Sequence, residues 1–541
     1  MKTTTHFVMI VILTGLSGLI AAAPATGAEQ TKSNKAAAGD VAALTEAIDR
    51  RIAKRWASQK ITPAKEATDA EFLRRVYLDI VGKIPSTFEV RFFLADQSPN
   101  KRRQLVDRLL ASPAYASHFT AVWRSVMIPE ADSDPQVRYL ATSFETWLHN
   151  KLAAGVGYDV IVREILTTPL SQPRRNPRFA GRDVTSPIAF YQAKQVKPEN
   201  LAASTAQIFL GIQIQCAQCH DHPFDQWKRE QFWGYAAFFA GLHRDEKNGR
   251  PGAIREVFDR RELAIPDTQK VVQAAFLDGR QPRWEFRVGS RVTLANWLTA
   301  AENPYFARAT ANRIWALFLG RGLVHPVDVF QADNPPSHPA LLDELARQFA
   351  DHQFDVKFLI RAITASRAYQ LTSSKSHASQ TNPADFARMT IRMLTSEQLV
   401  GSLSQATGLR QRGGINSRLR YSRNSPLGEL ASMFSQASGS ESPQQMSVLQ
   451  ALAMMNGRLV ADVTSLEKSA TLAAVSNYPG MTATQKVETL FLTTLSRRPR
   501  EAELKRLARY VERGGPGKDP DKALGDVFWA LLNSSEFIFN H

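Results

Sequence analysis

Two cysteines are the only ones in the 541-residue chain, and they stand three positions apart in the run Cys216-Ala217-Gln218-Cys219-His220. Covalent attachment of haem requires two thiols that reach the two vinyl groups, together with an imidazole that takes one axial site of the iron. A C-x-x-C-H run supplies all three groups within five residues. The spacing therefore predicts haem c attached through Cys216 and Cys219, with His220 as the axial ligand.

Two other kinds of chemistry use the same side chains. A C-x-x-C pair also forms redox disulfides, and a Cys216–Cys219 disulfide would suit a surface-binding protein without catalytic activity. Zinc or another metal ion is the other alternative, held by Cys216, Cys219, His220 and His222. That arrangement would favour a haem-free, metal-dependent hydrolase.

Polar and aromatic residues directly after the motif are candidates for a supporting role: Asp221, His222, Asp225 and Trp227. Two residues of chain are too short to carry His222 to the opposite face of an iron that His220 already binds. We therefore expect His222 to hydrogen-bond a haem propionate or a partner, or to be an ordinary turn histidine. Asp225 is open to the same two interpretations.

No methionine downstream in the same domain can serve as the second axial ligand of the iron, because none occurs between His220 and Met389. His325 and His338 flank Asn334-Pro335-Pro336, and they are the candidate distal ligands from a loop of the second half. We expect either two histidine ligands or an open five-coordinate iron, rather than the His/Met pair of small cytochromes c.

The elements that must position these residues are predicted to be mainly helical. Apolar residues recur every four positions from Leu44 to Trp56, which is one face of a helix. Ser86 and Glu89 have the spacing of a capping box. Asn303-Pro304 begins another helix, and Gly320 ends it. Short strand-like runs occupy the connection between the two halves, at Leu263–Ile265 and Trp284–Val288.

The chain is longer than one hydrophobic core usually serves, so we expect two helical domains. A charged start, an apolar stretch and small residues up to Ala28 form an expected signal peptide. The predicted division is a signal peptide at 1–28, a flexible lead-in at 29–40, a first domain at 41–244 that carries the motif, a strand-containing connection at 245–290, and a second domain at 291–541.

Charge and export narrow the classes of partner. The net charge is +16, which cleavage of the signal with Lys2 lowers to +15. Such a balance favours a redox partner with an acidic surface or an anionic polymer, and export to the periplasm or cell surface argues against nucleic acid. No stretch after the signal has the roughly 18 apolar residues of a membrane-spanning helix.

A basic loop is expected at 405–427, with Arg410, Arg412, Arg418, Arg420 and Arg423.

The stretch from Phe209 to Trp227 resembles the signature of a planctomycete-type, cytochrome-c-like family, the domain of unknown function 1549. Its N-terminal part is matched by Asp69, Phe72, Arg74, Arg75, Tyr77, Leu78, Asp79, Gly82 and Pro85. The second half resembles the companion domain of unknown function 1553, through Asn303–Arg308, Asn312–Trp315, Gly320–Val324 and Asn533–His541. This resemblance implies an exported, haem-bearing, two-domain protein, and we expect electron transfer or a haem subunit of an extracytoplasmic oxidoreductase.

Overall fold

The computed structural model describes residues 27–170, 185–223, 225–244, 254–409, 426–435 and 447–541. These residues form a mainly helical protein, which confirms the predicted fold class. The helices of the first half are α1 (Gly27–Ser58), α2 (Asp69–Val81), α3 (Thr87–Ala95), α4 (Lys101–Ala111), α5 (Pro113–Met127), α6 (Pro135–Ala153), α7 (Tyr158–Thr167), α8 (Ala189–Ala193), α9 (Pro198–Thr205) and α10 (Arg229–Ala236).

Short non-α turns interrupt the first half. Three are 3-10 turns, at Pro129–Asp132, Gln215–Gln218 and Ala237–Phe239. A π turn at Ala206–Leu210 extends α9 directly. The last turn before the cysteines is therefore wider than an α-helix, a distortion that often occurs at functional sites.

Two-stranded antiparallel sheets make up the strand content of the described residues. They pair β1 (Leu242–Arg244) with β2 (Ile254–Glu256), β3 (Glu262–Ala264) with β4 (Val271–Gln273), and β5 (Arg392–Met393) with β6 (Phe539–Asn540). The expected strand at Leu263–Ile265 matches β3 within a residue. The expected strand at Trp284–Val288 is wrong, since that run is irregular and its Trp284 ring packs against Phe238, with the ring planes tilted by 47°, instead of entering a ladder.

The regular elements in the described part of the second half are helices, apart from β5, β6 and a 3-10 turn at Pro383–Asp385, and they are joined by irregular segments such as the one between Leu319 and Pro339. Its helices are α11 (Ser290–Leu298), α12 (Phe306–Leu319), α13 (Pro339–Asp351), α14 (Val356–Ala365), α15 (Arg367–Gln370), α16 (Ser396–Thr407), α17 (Pro426–Ser435), α18 (Val448–Asn456), α19 (Arg458–Val463), α20 (Ala470–Ser476), α21 (Ala483–Leu495), α22 (Glu501–Glu512), α23 (Pro520–Leu532) and α24 (Ser535–Ile538).

Two of the three predicted helix-end signals are confirmed. Ser86 and Glu89 form the expected capping box at the start of α3. The side-chain oxygen of Asn303 accepts the backbone N–H groups of Tyr305 and Phe306, both at 3.0 Å, but α12 begins at Phe306, so Asn303 and Pro304 form a turn before the helix and not its N-cap and first helical residue. Gly320 ends α12 in the left-handed conformation with φ of 79°.

Helix α1 includes residues 29–40, where the sequence predicted a flexible lead-in, so the structure shows a helix in place of a coil. Ala36, Ala37 and Ala38 have the highest intrinsic helix propensity of any residue type. They precede the buried stripe that begins at Leu44, and packing of that stripe supports the whole helix.

Two apolar cores organise the described part of the chain. The larger runs from Leu44 to Met389 and also takes in Leu492, so α11–α15 share a core with α1–α10. The smaller joins α16–α24 and receives Leu78 and Ile84 from the region of α2. The cores thus divide near residue 390, while the domain bounds expected from the sequence remain a prediction.

A buried carboxylate on α2 connects the two cores. Asp79 accepts hydrogen bonds from Tyr369 Oη at 2.8 Å, Arg392 Nη2 at 2.9 Å and Asn540 Nδ2 at 2.8 Å. One turn earlier, Arg74 donates to the carbonyl oxygens of Thr494 at 2.9 Å and Phe537 at 2.7 Å. These contacts give a structural role to two residues that carry the family resemblance.

No helix among the described residues has the length and apolar content to cross a bilayer.

Candidate functional site

The two cysteines lie at the ends of one short turn on the surface. Residues Gln215–Gln218 form a 3-10 turn, in which Ala217 N donates to Ile214 O at 2.9 Å. Ala217 is fully buried, whereas Cys216 and Cys219 are exposed and are free thiols. Ala217 therefore anchors the turn in the core, while both cysteines are exposed to solvent.

A glycine fixes the approach of the chain to this turn. Gly211 ends the π turn with φ of 72°, a conformation that favours glycine. A Cβ atom at this position would stand 2.7 Å from Phe330 Cδ2, and Phe330 N donates to Gly211 O at 3.0 Å. Nearby, Gln207 Nε2 donates to Asp328 Oδ2 at 2.6 Å. The loop that follows α12 thus buttresses the segment leading to the cysteines.

His220 is exposed, and its ring is oriented by the adjacent backbone. Its Nδ1 lies 2.7 Å from the carbonyl oxygen of Asp221. A carbonyl only accepts, so Nδ1 must carry the proton in this contact, and the lone pair of the neutral ring resides on Nε2. Nδ1–H bound to a backbone carbonyl is the usual second contact of an imidazole that ligates a metal through Nε2.

The carboxylate of Asp221 joins the motif to α10. It accepts a hydrogen bond from Arg229 N at 3.0 Å and forms an ion pair with Lys228 Nζ at 3.1 Å. These two contacts, in that order, lower the pKa of Asp221 below its usual value. Because the side chain is exposed, its role is to position the turn and not to add much stability.

Two tryptophans hold the other side of the motif. Trp227 is buried and its carbonyl accepts from His222 N at 2.8 Å, which closes the loop 222–227. Its indole Nε1 is buried without a hydrogen-bond partner among the described residues. Trp233, one turn into α10, donates from Nε1 to Gln218 O at 3.0 Å. Both indoles belong to the main core beneath the turn.

Arg229 approaches the same carbonyl group of the motif. Its Nε donates to Gln218 O at 3.4 Å and its Nη2 to Pro266 O at 2.8 Å, on the turn between β3 and β4. Among the residues that the structure describes, this guanidinium forms no salt bridge with a carboxylate. A positive charge therefore lies beside the cysteine turn without a fixed counter-ion.

Asp225 has an electrostatic effect on a residue of the second half that the sequence did not reveal. The pKa of Tyr305 is raised by burial first, then by the charge of Asp278 and then by that of Asp225. The carboxylate of Asp225 is thus within electrostatic reach of the Tyr305 phenol. Tyr305 belongs to the Asn303-Pro304-Tyr305 run, which the sequence indicated only as a helix start, so its type and position gave no separate signal.

The two candidate distal histidines occupy different surroundings. His325 is exposed and precedes Pro326 in the loop that contacts Gly211 and Gln207 through Phe330 and Asp328. His338 is buried at the start of α13, with its ring 5.6 Å from that of Phe386 and its Nδ1 3.1 Å from Ser337 Oγ. The structure therefore associates the loop of His325 with the segment before the cysteines, and packs His338 against another part of the core.

A metal site would need several ligand side chains close together. Across the described ranges, no group of three or more His, Cys, Asp or Glu side chains has the arrangement of a metal site.

The basic loop expected from the sequence lies outside the described residues, with its arginines Arg410, Arg412, Arg418, Arg420 and Arg423.

Comparison with protein families shows a pair of domains. Residues 47–244 match the family PSCyt2, described as a protein of unknown function (DUF1549), and residues 290–424 match PSD1, a protein of unknown function (DUF1553). The comparisons with curated proteins and with solved structures gave no match. The cysteine turn and α10 fall in the first matched region, and the loop with His325 falls in the second.

Proposed function

We propose that the chain is an exported c-type haem protein that acts in electron transfer or as the haem subunit of an extracytoplasmic oxidoreductase. In this proposal Cys216 and Cys219 form the thioether bonds and His220 is the axial ligand. The observation that supports this proposal most directly is the orientation of His220. Its Nδ1 is hydrogen-bonded to the Asp221 carbonyl, while both thiols of the same turn are exposed to solvent.

The residues around the turn fit the demands of this cofactor. Haem supplies one-electron redox chemistry when bound, and its propionates are anionic groups that need donors. The guanidinium of Arg229 is one such donor and lies beside the motif, whereas the indole N–H of Trp227 is buried beneath the turn. Asp221 holds the start of α10 against the turn, so Arg229 and His220 keep a fixed relation.

The exposure of the thiols defines what kind of haem site this would be. A haem bound to two surface sulfur atoms has an edge that a partner protein can approach directly, which suits electron transfer. Solvent exposure is also one of the factors that set the potential of an iron cofactor. The mature chain is far longer than one electron-carrying haem requires, so the remainder of the fold is available for a substrate or a partner.

The positions of the two candidate histidines bear on the proposed second axial site of the iron. His338 is enclosed against Phe386, so its use as a ligand would require α13 to unpack. His325 is exposed on a loop that contacts the segment before the cysteines. We propose an open five-coordinate iron, or one closed by His325, and a weak absorption band at roughly 695 nm would contradict both by showing sulfur ligation.

The test is the absorption spectrum of protein made in a host with haem-attachment machinery. A Soret band that survives acid–acetone extraction is expected for the native chain and is expected to vanish in the Cys216→Ala, Cys219→Ala double variant. His220→Gln should change the ligand-sensitive bands, while His377→Gln, at an exposed histidine, is the matched control. Colourless protein with stoichiometric zinc would instead support the hydrolase alternative, and colourless metal-free protein the disulfide alternative.

A further inference from the structure

A cavity of about 320 Å³ lies in the second half, and none of its lining residues belongs to the cysteine turn. Its wall is one continuous segment, residues 380–391, and includes Thr381, Asn382, Pro383, Arg388, Thr390 and Ile391. This volume is at the small end of the range for ligand pockets. The space therefore suits a molecule the size of one sugar ring.

Hydrogen bonds to other segments hold this wall in place. Gln380 Nε2 donates to Thr62 O at 2.9 Å, and Ala64 N donates to Ala387 O at 2.7 Å. Met389 N donates to Thr372 O at 3.1 Å. The cavity is thus formed before any ligand binds, which lowers the entropic cost of binding.

Arg388 gives the cavity an uncompensated positive charge. Its Nε donates to Gln380 O at 3.3 Å and its Nη1 to Ser373 O at 3.1 Å, and both acceptors are neutral carbonyls. In the described part of the chain it has no carboxylate partner. The acidic residue nearest in sequence, Asp385, is engaged by Arg55 Nε at 2.8 Å. Nη2 of Arg388 is therefore left available to an anion.

The remaining lining groups are neutral donors and small apolar surfaces. The hydroxyl groups of Thr381 and Thr390 and the amide nitrogen of Asn382 form no hydrogen bond with another described residue, and the lining contains no carboxylate. Pro383 and the half-exposed Ile391 supply apolar area. A guanidinium, hydroxyl groups and an apolar face together match a carboxylate, ring hydroxyls and the C–H face of a sugar.

We infer that this cavity is a binding site for an acidic sugar, with Arg388 binding the carboxylate and Thr381, Asn382 and Thr390 binding ring hydroxyls. The inference is independent of haem attachment, because it uses no residue of the cysteine turn. A monosaccharide unit of an anionic polymer outside the cell is the natural source of such a ligand for a protein of net charge +16.

Calorimetric titration of the full chain with glucuronate, glucose and acetate tests the proposal. Glucuronate is expected to bind at least tenfold more tightly than either of the others, since only it carries both the charge and the hydroxyls. Arg388→Gln should weaken glucuronate binding by about tenfold or more, the range for hydrogen bonds to a charged group. Arg103→Gln, at an exposed arginine elsewhere, is the matched control and should bind as the native chain does.

Isosteric variants keep the test decisive if Arg388→Gln fails to fold. Thr390→Val and Thr381→Val remove a hydroxyl without changing side-chain volume, and each should weaken glucuronate binding by roughly threefold. Hydrogen exchange should slow at 380–391 when glucuronate is present. Equal binding of glucuronate, glucose and acetate, or unchanged binding in the folded variants, would overturn the inference.

Discussion

Two histidines, His118 and His338, have pKa values well below the usual range. Burial lowers the pKa of His118 to about 4, and burial together with the charge of Arg55 lowers that of His338 to about 4. In the unfolded chain a histidine takes up its proton near pH 6.5. The unfolded state therefore binds more protons between pH 6.5 and 4, so this stability is present above about pH 6.5 and is lost as the pH falls.

Replacement of His338 by Asn tests this dependence. The variant should be less stable than the native chain at pH 7.5, because packing against Phe386 is lost. The difference in unfolding free energy should shrink by about 2 kcal/mol on going to pH 5, since only the unsubstituted chain must keep His338 deprotonated there, while His118 is the same in both. Urea unfolding at several pH values measures it. His377→Asn, at an exposed histidine, should show no such change, and a constant difference for His338→Asn would contradict the prediction.

At the scale of elements, α2 holds the two cores together with charged side chains. Asp79 is almost fully buried and is bonded to Tyr369, Arg392 and Asn540, which belong to separate segments of the second half. Removal of one partner from a buried ion pair leaves the other charge without compensation. That situation is far more costly than the loss of a pair on the surface.

Asp79→Ala is accordingly expected to lower the unfolding free energy by about 3–5 kcal/mol. Asp343→Ala is the matched control, because it breaks an exposed ion pair with Arg308 and should cost less than about 1 kcal/mol. Chemical denaturation of both variants at neutral pH provides the measurement. Equal costs for the two substitutions would show that the buried cluster does not stabilise the fold.

The local features of these elements were predictable from sequence, whereas their long-range contacts were not. The capping box of Ser86 and Glu89 and the side-chain turn at Asn303 involve residues within three positions, so local spacing indicates them. Asp79 and Asn540 are 461 positions apart, and no local pattern relates them. The same holds at the site: the cysteine motif is contiguous, but the approach of Asp225 to Tyr305 depends on tertiary packing.

At the scale of the whole molecule, the excess of basic residues governs association with other molecules. The net charge of +16 produces a field that attracts polyanions, and salt screens it over a Debye length of about 10 Å at 0.1 M. Five of the arginines are concentrated within fourteen residues, from Arg410 to Arg423.

Replacement of these five arginines by Gln should lower the salt concentration at which the protein leaves an immobilised polyanion. The net charge falls from +16 to +11, so the long-range attraction weakens, although a smaller attraction remains. Elution from heparin in a salt gradient measures the effect. A variant with five Gln replacements at dispersed arginines is the control for net charge alone. Elution of the native chain at the lowest salt, as for a neutral protein, would contradict the prediction.

The exposed position of Cys216 and Cys219 has a consequence for the proposed haem attachment. On that proposal, a chain exported without haem would carry two exposed thiols into an oxidising compartment. Oxidation would then either close the Cys216–Cys219 disulfide within one chain or cross-link two chains through these exposed positions. Reduction followed by a thiol-specific label would mark both products but not thioether-bound sulfur, so the labelled fraction would report how much of a preparation lacked the cofactor.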